Sequence, residues 1–362
     1  MKISGLVRDT FSAAFIGAVL AGCSAGGSQI IGGPRAAAIG HALAMTNIAG
    51  LVPQQYVSRQ KSWVSPQWRS ALRSKHKKTK LLWISDLGYA AVEAYDYETG
   101  ALIGEVTGFS YPYGLCSDKN GNVYVSDFSL DKGFEIQAGT FKIINSWPTG
   151  GEAIGCSVSN GGDVAFTNFY PGGVVIFPGG GPTGHTYSGP GYDWAAGYDP
   201  NGNLFVECNY ASPCSSPRIA ELPAGGSSWI SLNFSSGIGF AAAVQWDGKY
   251  LALADQACGS TSNTCIDQVT VSGSTVTLVN RVRLSAGSSG CSNYVDISGS
   301  WGFNAKDPNG ILKREATALA SPNLSCFPSP VLIWPYPAGG APKRVLQLMP
   351  SSSGYGATIT KI

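Results

Sequence analysis

The side chains best suited to chemistry are few, and they lie where apolar runs begin. Glu152, Asp193 and Asn293 each stand just before or at such a start and could offer a calcium ion the hard oxygen ligands it takes. Tyr113, Tyr192, Trp194, Phe240, Tyr294 and Tyr355 occupy neighbouring positions, and ring faces with a few carboxylates suit a sugar, a peptide or a small cation. The plainer reading is a polar and aromatic lining that solvates the end of a channel. Of the three histidines only His185 lies beyond residue 80, so a Ser-His-Asp triad or a multi-histidine metal centre has almost no material. No Gly-x-x-x-x-Gly-Lys-Ser/Thr loop occurs, and no residue is assigned a catalytic role.

Those residues are placed by an internal period. LLWISD (81–86), NGNVYVSD (120–127), NGGDVAFTN (160–168), NGNLFVEC (201–208), DGKYLALAD (247–255) and SGSWGFN (298–304) end at Asp86, Asp127, Asn168, Cys208, Asp255 and Asn304, spaced 41, 41, 40, 47 and 49 residues. Asn-Gly or Asp-Gly ahead of an apolar run marks a tight turn between antiparallel strands. The second repeat divides into four strand-like pieces, YGLCSD, NVYVSD, FEIQA and FKIINSW, and the third into AIGCSV, DVAFTN, GVVIF and HTYS. A lone four-stranded sheet cannot bury both faces, so neighbours must stack radially. The first repeat lacks an inner strand, and Gly354–Thr360 at the chain end has no partners; joining them closes a ring. The expectation is an all-β, six-bladed β-propeller of four-stranded blades over residues 81–362, with a packed β-sandwich as the rival. The strand-end Asp86, Asp127 and Asp255 recur once per repeat, which suits bonding to local backbone N–H groups better than catalysis.

The stretch Asp118-Lys119-Asn120-Gly121-Asn122-Val123-Tyr124-Val125-Ser126-Asp127 and its counterpart Asp199-Pro200-Asn201-Gly202-Asn203-Leu204-Phe205-Val206 resemble the NHL-type repeat of bacterial and animal propellers. The architecture is also similar to lactonase-type six-bladed propellers, which implies an alternative in which Glu152, Asp193 and Asn293 hold calcium for lactone or phosphotriester hydrolysis. The surrounding motifs differ from those lactonases, and fold does not carry function.

The first 22 residues read as a signal peptide: Lys2 and Arg8, then thirteen mostly apolar or small residues to Gly22. At about 1.5 Å per residue that run spans roughly 20 Å, short of a bilayer core. Leu20-Ala21-Gly22-Cys23 resembles the lipobox of bacterial lipoproteins. The resemblance implies acylation of Cys23, membrane attachment at the cell envelope and, with Ser24 following, the outer membrane of a diderm cell. Residues 23–80 read as a lipidated, basic flexible tether. Residues 1–80 hold 11 of the 24 Lys and Arg and one acid, Asp9, which leaves residues 81–362 at a net charge of −8. A net-acidic globular part speaks against nucleic-acid binding. The bases of residues 59–80, interleaved with Trp63 and Trp68, fit either anionic headgroups or a solvated linker.

Eight further cysteines, an even number in an exported chain, favour disulfides. Cys208 with Cys214 and Cys258 with Cys265 are expected as local staples, and Cys291 with Cys326 as a tie for the sixth-repeat insertion. Cys116 and Cys156 occupy equivalent inner-strand positions, so they are either bridged or two buried thiols. Three readings follow: a lipid-anchored module binding an envelope protein, peptide or glycan without a cofactor; a calcium-dependent hydrolase; and an envelope protein working through its outer faces.

Overall fold

The computed structural model describes residues 61–73, 79–137, 139–208, 218–258, 264–285, 293–296, 315–320, 330–347 and 354–361. Cys23, the signal peptide, most of the tether, Cys214, Cys291 and Cys326 lie outside the described residues. The chain enters as β1 (Trp63–Val64) and α1 (Pro66–Arg73), followed by β2 (Lys80–Asp86), β3 (Ala91–Asp96) and β4 (Leu102–Thr107). A second sheet holds β5 (Pro112–Ser117), β6 (Val123–Asp127), β7 (Lys132–Gln137) and β8 (Lys142–Pro148). The third holds β9 (Ala153–Val158), β10 (Val164–Asn168), β11 (Val174–Phe177) and β12 (His185–Tyr187). Next come β13 (Asp193–Tyr198), β14 (Leu204–Cys208), β15 (Arg218–Leu222) and β16 (Ile230–Phe234), then β17 (Ala241–Trp246), β18 (Leu251–Asp255), β19 (Thr264–Ser272) and β20 (Thr275–Leu284). These two antiparallel groups meet at their outer edges, where β16 and β20 pair in parallel. The last sheet is β21 (Asn293–Asp296), β22 (Glu315–Ala320), β23 (Pro330–Pro335) and β24 (Arg344–Gln347). β25 (Gly354–Lys361) returns to the first sheet and pairs antiparallel with β2, from Lys80↔Lys361 to Asp86↔Gly354.

The turn chemistry works as the repeat implies. Asp118 Oδ1 accepts from the N–H groups of Asn120 and Asn122 at 2.9 and 2.8 Å, and Asp199 does the same for Asn201 and Asn203. Gly121 and Gly202 take φ of 87° and 86°, the left-handed conformation that glycine adopts without a Cβ penalty.

The first strands of the units pack side by side in a closed cycle: β25, β5, β9, β13, β17, β21 and back to β25. They approach backbone to backbone. A Cβ on Gly155 would lie 2.7 Å from the Trp194 carbonyl oxygen, and one on Gly356 would strike that of Tyr113. The same closeness allows the Cys116–Cys156 bridge, with Cα atoms 5.8 Å apart. Cys258 and Cys265 are also bridged, and Cys208 is disulfide-bonded. In two units a hydroxyl one residue before the end of the second strand braces the neighbouring units. Ser85 Oγ accepts from Gly356 N–H at 2.6 Å and donates to the Tyr113 carbonyl at 2.5 Å. Thr167 Oγ1 accepts from Gly155 N–H at 2.9 Å and donates to the Trp194 carbonyl at 3.3 Å. Glu207 holds the equivalent slot of β14, fully buried, with neither carboxyl oxygen hydrogen-bonded. Burial, aided by the nearby Asp255, pushes its proton affinity well above the ordinary glutamate range.

The seam between the last sheet and the first is clamped by Arg344. Its guanidinium donates to the carbonyls of Tyr97 and Glu98 and lies 4.2 Å from the Tyr97 ring centroid.

The tether expected to reach residue 80 ends earlier. β1 adds a fifth strand to the first sheet, pairing Trp63↔Glu105 and Val64↔Gly104, and Trp68 and Leu72 of α1 pack against the cluster around Trp83, Ile103 and Phe141. The i, i+4 spacing of Trp68 and Leu72 gives the helix one apolar stripe, and Pro66 suits its first position. Covering the outer edge of β4 removes a row of unpaired backbone groups.

Ser85→Ala is expected to leave the Tyr113 carbonyl and the Gly356 N–H without their shared partner. The cost should be about 1–3 kcal/mol, read from urea unfolding monitored by tryptophan fluorescence. A loss below a few tenths would show that the slot is not a brace.

Candidate functional site

The end of the molecule where the first strands begin is built from the loops that precede them and the loops that follow each second strand. The strand-end acids hold these loops. Asp127 accepts from the N–H groups of Ser110, Tyr111, Ser129 and Leu130 at 2.8 to 3.2 Å. Asp255 accepts from Gly239, Phe240 and Ala257, each at 2.9 Å, and Asp86 from Tyr89. Asn168 replaces the carboxylate in the third unit and donates instead, to the Thr149 carbonyl. Their expected role as turn-fixing residues is what the hydrogen bonds record.

Tyr113, Trp194 and Tyr355 come together, but as a plug rather than an open lining. They are 3%, 5% and 3% exposed. Tyr113 sits 4.6 Å from Tyr355 and 6.3 Å, edge-on, from Trp194, which also meets Phe240 at 5.7 Å and Phe169 at 5.8 Å. Edge-to-face and tilted pairs of this kind are the favoured aromatic arrangements.

Above the plug runs a second tier that the sequence reading did not single out apart from Tyr192. Tyr111 contacts Phe128 at 5.9 Å, Phe128 contacts Phe169 at 6.2 Å, and Phe169 stacks on Tyr192 at 5.1 Å and 28°. Tyr170 completes the row, 6.2 Å from Tyr192 and 55% exposed. The available signal was the strand-end slot itself. Phe128 and Phe169 each follow it directly, and Tyr111 stands two residues ahead of Tyr113.

The loop that presents Tyr170 is pinned on every side. Glu152 N–H donates to the Tyr170 carbonyl and Phe169 N–H to that of Glu152, while Asn168 N–H donates to Gly173. A Cβ on Gly172 would strike the Gly191 carbonyl. Asp193, fully buried, locks the loop from the next unit: its Oδ2 accepts from the Gly173 N–H at 3.0 Å and its Oδ1 has no partner. Asp193 is therefore a positioning residue for Tyr170. Burial raises its pKa to about 8, against the opposing pull of the Gly173 and Gly191 N–H groups.

Asp193 faces the Gly173 loop, Glu152 contributes its backbone to the Tyr170 loop, and Asn293 and Tyr294 open β21, of which only the backbone is described. Among the described residues no three His, Cys, Asp or Glu side chains come together as a metal site. His185 lies exposed on the outermost β12.

No family model matches the sequence, and no curated protein sequence does. Solved structures do. The chain is similar to a Bacteroides caccae protein at 12% identity, covering 78% of this chain and 99% of that one with a TM-score of 0.54. It is also similar to streptogramin B lyase, at 14% identity over 77% and 91% of the two chains and a TM-score of 0.46. Hydrazine synthase of Kuenenia stuttgartiensis matches at 17% identity over 67% of each chain, with a TM-score of 0.45. The lyase and the synthase are β-propeller proteins. The cyclic packing of antiparallel sheets, closed by the pairing of β2 with β25, is itself that of a β-propeller.

An unfolded chain ionises an aspartate near pH 3.8, whereas native Asp193 keeps its proton to about pH 8. The native state thus binds the extra proton, and its stability falls as pH rises across that window. Asp193→Asn is expected to flatten this fall. Urea unfolding at pH 5 and pH 9 measures it, and an unchanged slope would mean that Asp193 is ionised in the fold.

Proposed function

We propose that the chain is a six-bladed propeller held at the cell envelope through a lipidated Cys23, and that its mouth binds a ligand without catalysing a reaction. The observation that carries the binding reading is an exposed tyrosine on a loop held by backbone bonds to Glu152 and by Asp193 of the next unit. An exposed aromatic on a mobile loop must be ordered on binding, which costs affinity; Tyr170 is held in place beforehand. Function commonly sits on loops positioned by a rigid scaffold.

Six units are supported by the order of first strands around the cycle. Export is supported by the disulfides, since such bridges persist in oxidising compartments and are rare in the cytosol. Lipid anchoring rests on Leu20-Ala21-Gly22-Cys23, and the residues between Cys23 and β1 are read as the tether. The mouth argues against calcium-dependent hydrolysis because its buried carboxylates are occupied by backbone N–H groups.

The test of the mouth is equilibrium binding to immobilised glycan and peptide panels by the wild type and by Tyr170→Ala. The variant should lose at least ten-fold in affinity for whatever the wild type retains, with an unchanged melting temperature because the side chain is exposed. Equal binding would move the site elsewhere. For the anchor, Cys23→Ala should shift the protein from the membrane to the soluble fraction and abolish incorporation of labelled palmitate; a variant that stays membrane-bound and labelled would overturn lipidation at this residue.

A further inference from the structure

Resting on that reading of the mouth, we infer that the ligand is a neutral saccharide chain laid on the ring face of Tyr170, beside the stacked pair of Tyr192 and Phe169.

Three observations narrow the chemistry. The first is charge. The four loops that carry the upper tier (108–111, 128–131, 169–173 and 188–192) contain one charged residue between them, Asp131, and no Lys or Arg. The carboxylates set beneath them serve the fold: Asp127 holds four N–H groups, and Asp193 holds Gly173. A strongly anionic or cationic ligand would gain little Coulombic attraction here, so a neutral one fits.

The second is the main chain. Phe128 N–H donates to the Tyr111 carbonyl, Phe169 N–H to the Glu152 carbonyl, and Glu152 N–H to the Tyr170 carbonyl. A peptide that bound by adding a strand needs a row of unpaired N–H and C=O groups along an edge, and the N–H groups of Ser110, Tyr111, Phe128, Ser129, Leu130, Phe169 and Gly173 in these loops are already bonded. Recognition is left to ring faces and phenols.

The third is the shape of the aromatic surface. A proline-rich peptide inserts its rings between aromatic ridges. Here Phe169 and Tyr192 stack on each other at 5.1 Å, which closes the slot between them, and the exposed ring of Tyr170 is left as the accessible surface. A pyranose ring offers a flat face of C–H groups to such a surface and hydroxyls at its rim. The tyrosines supply matching polar edges, and the Tyr111 hydroxyl within the same row is buried without a partner.

The experiment is calorimetric titration of the full chain with three probes: a neutral β-linked hexasaccharide of glucose or N-acetylglucosamine, a hexasaccharide of a uronic acid, and a proline-rich decapeptide. The neutral chain should bind saturably, with a dissociation constant that changes less than two-fold between 0.05 and 0.5 M NaCl. Tyr170→Ala should weaken it more than ten-fold, and Tyr170→Phe, which keeps the ring face, should retain most of it. Melting curves of both variants establish that they are folded. Binding of the uronate in a salt-sensitive way, in preference to the neutral chain, would overturn the inference about charge. Tyr170-dependent binding of the decapeptide alone would overturn the saccharide while leaving the mouth as the binding site. Neutral-chain binding that Tyr170→Ala does not weaken would remove both the inference and the reading of the mouth on which it rests.

Discussion

Everything in this molecule depends on pairing residues 80–86 with residues 354–361. A four-stranded antiparallel sheet has two faces, and neither can be left in water. Each sheet is covered by its two neighbours only if the series closes on itself, and β2 with β25 makes that closure. The pairing is also the most expensive to form, because it closes the loop from Asp86 to Gly354, the longest in the fold. It is correspondingly reinforced: Trp83 Nε1 donates to Thr360 Oγ1 at 2.9 Å in the buried sheet, Ser85 links β25 to β5, and Arg344 grips the Tyr97 turn across the adjacent seam.

Around that ring one position per unit has been adapted to local need. Ser85 and Thr167 brace the seam as donor and acceptor at once. Ser126 stands in the same slot with its hydroxyl unpaired, and Glu207 places a carboxyl there with no hydrogen bond to either oxygen. Burial, with Asp255 nearby, raises the proton affinity of a glutamate in this slot. The strand-end acids follow a different rule. They face the mouth and are satisfied by backbone N–H groups, so they fix loop shape and leave the loop side chains free to vary. Aromatic residues occupy those free positions in the second, third and fourth units, where the row from Tyr111 to Tyr170 lies.

The likeness to other propellers speaks to architecture only, since their identities to this chain are between 12% and 17%. Function has to be argued from the site. What distinguishes the mouth is the combination of a buried aromatic plug, which closes the axis, with a half-exposed aromatic row above it on immobilised loops. Asp193 is the clearest case of a residue whose chemistry is turned inward. Its type and position suggest a ligand, yet its one bonded oxygen holds the loop that carries Tyr170.

The sequence by itself determined the period, the strands of the second and third units, the tight turns at Asp118–Asn122 and Asp199–Asn203, and the return of the last strand to the first sheet. These are local signals: Asn-Gly turns and period-two patterns act over a few residues, and an orphan strand at each end has one way to be satisfied. Only the tertiary structure decided what the polar and aromatic residues at the mouth do. Whether Asp193 meets Glu152 or a glycine N–H depends on how two neighbouring units rotate against each other, which no spacing along the chain encodes. The bridge between Cys116 and Cys156 was equally undecidable, because it turns on a backbone approach that the inner-strand glycines allow across a seam. The docking of Trp68 and Leu72 escaped notice because two apolar residues in a basic stretch form a stripe only once a complementary surface, around Trp83 and Phe141, exists to receive them.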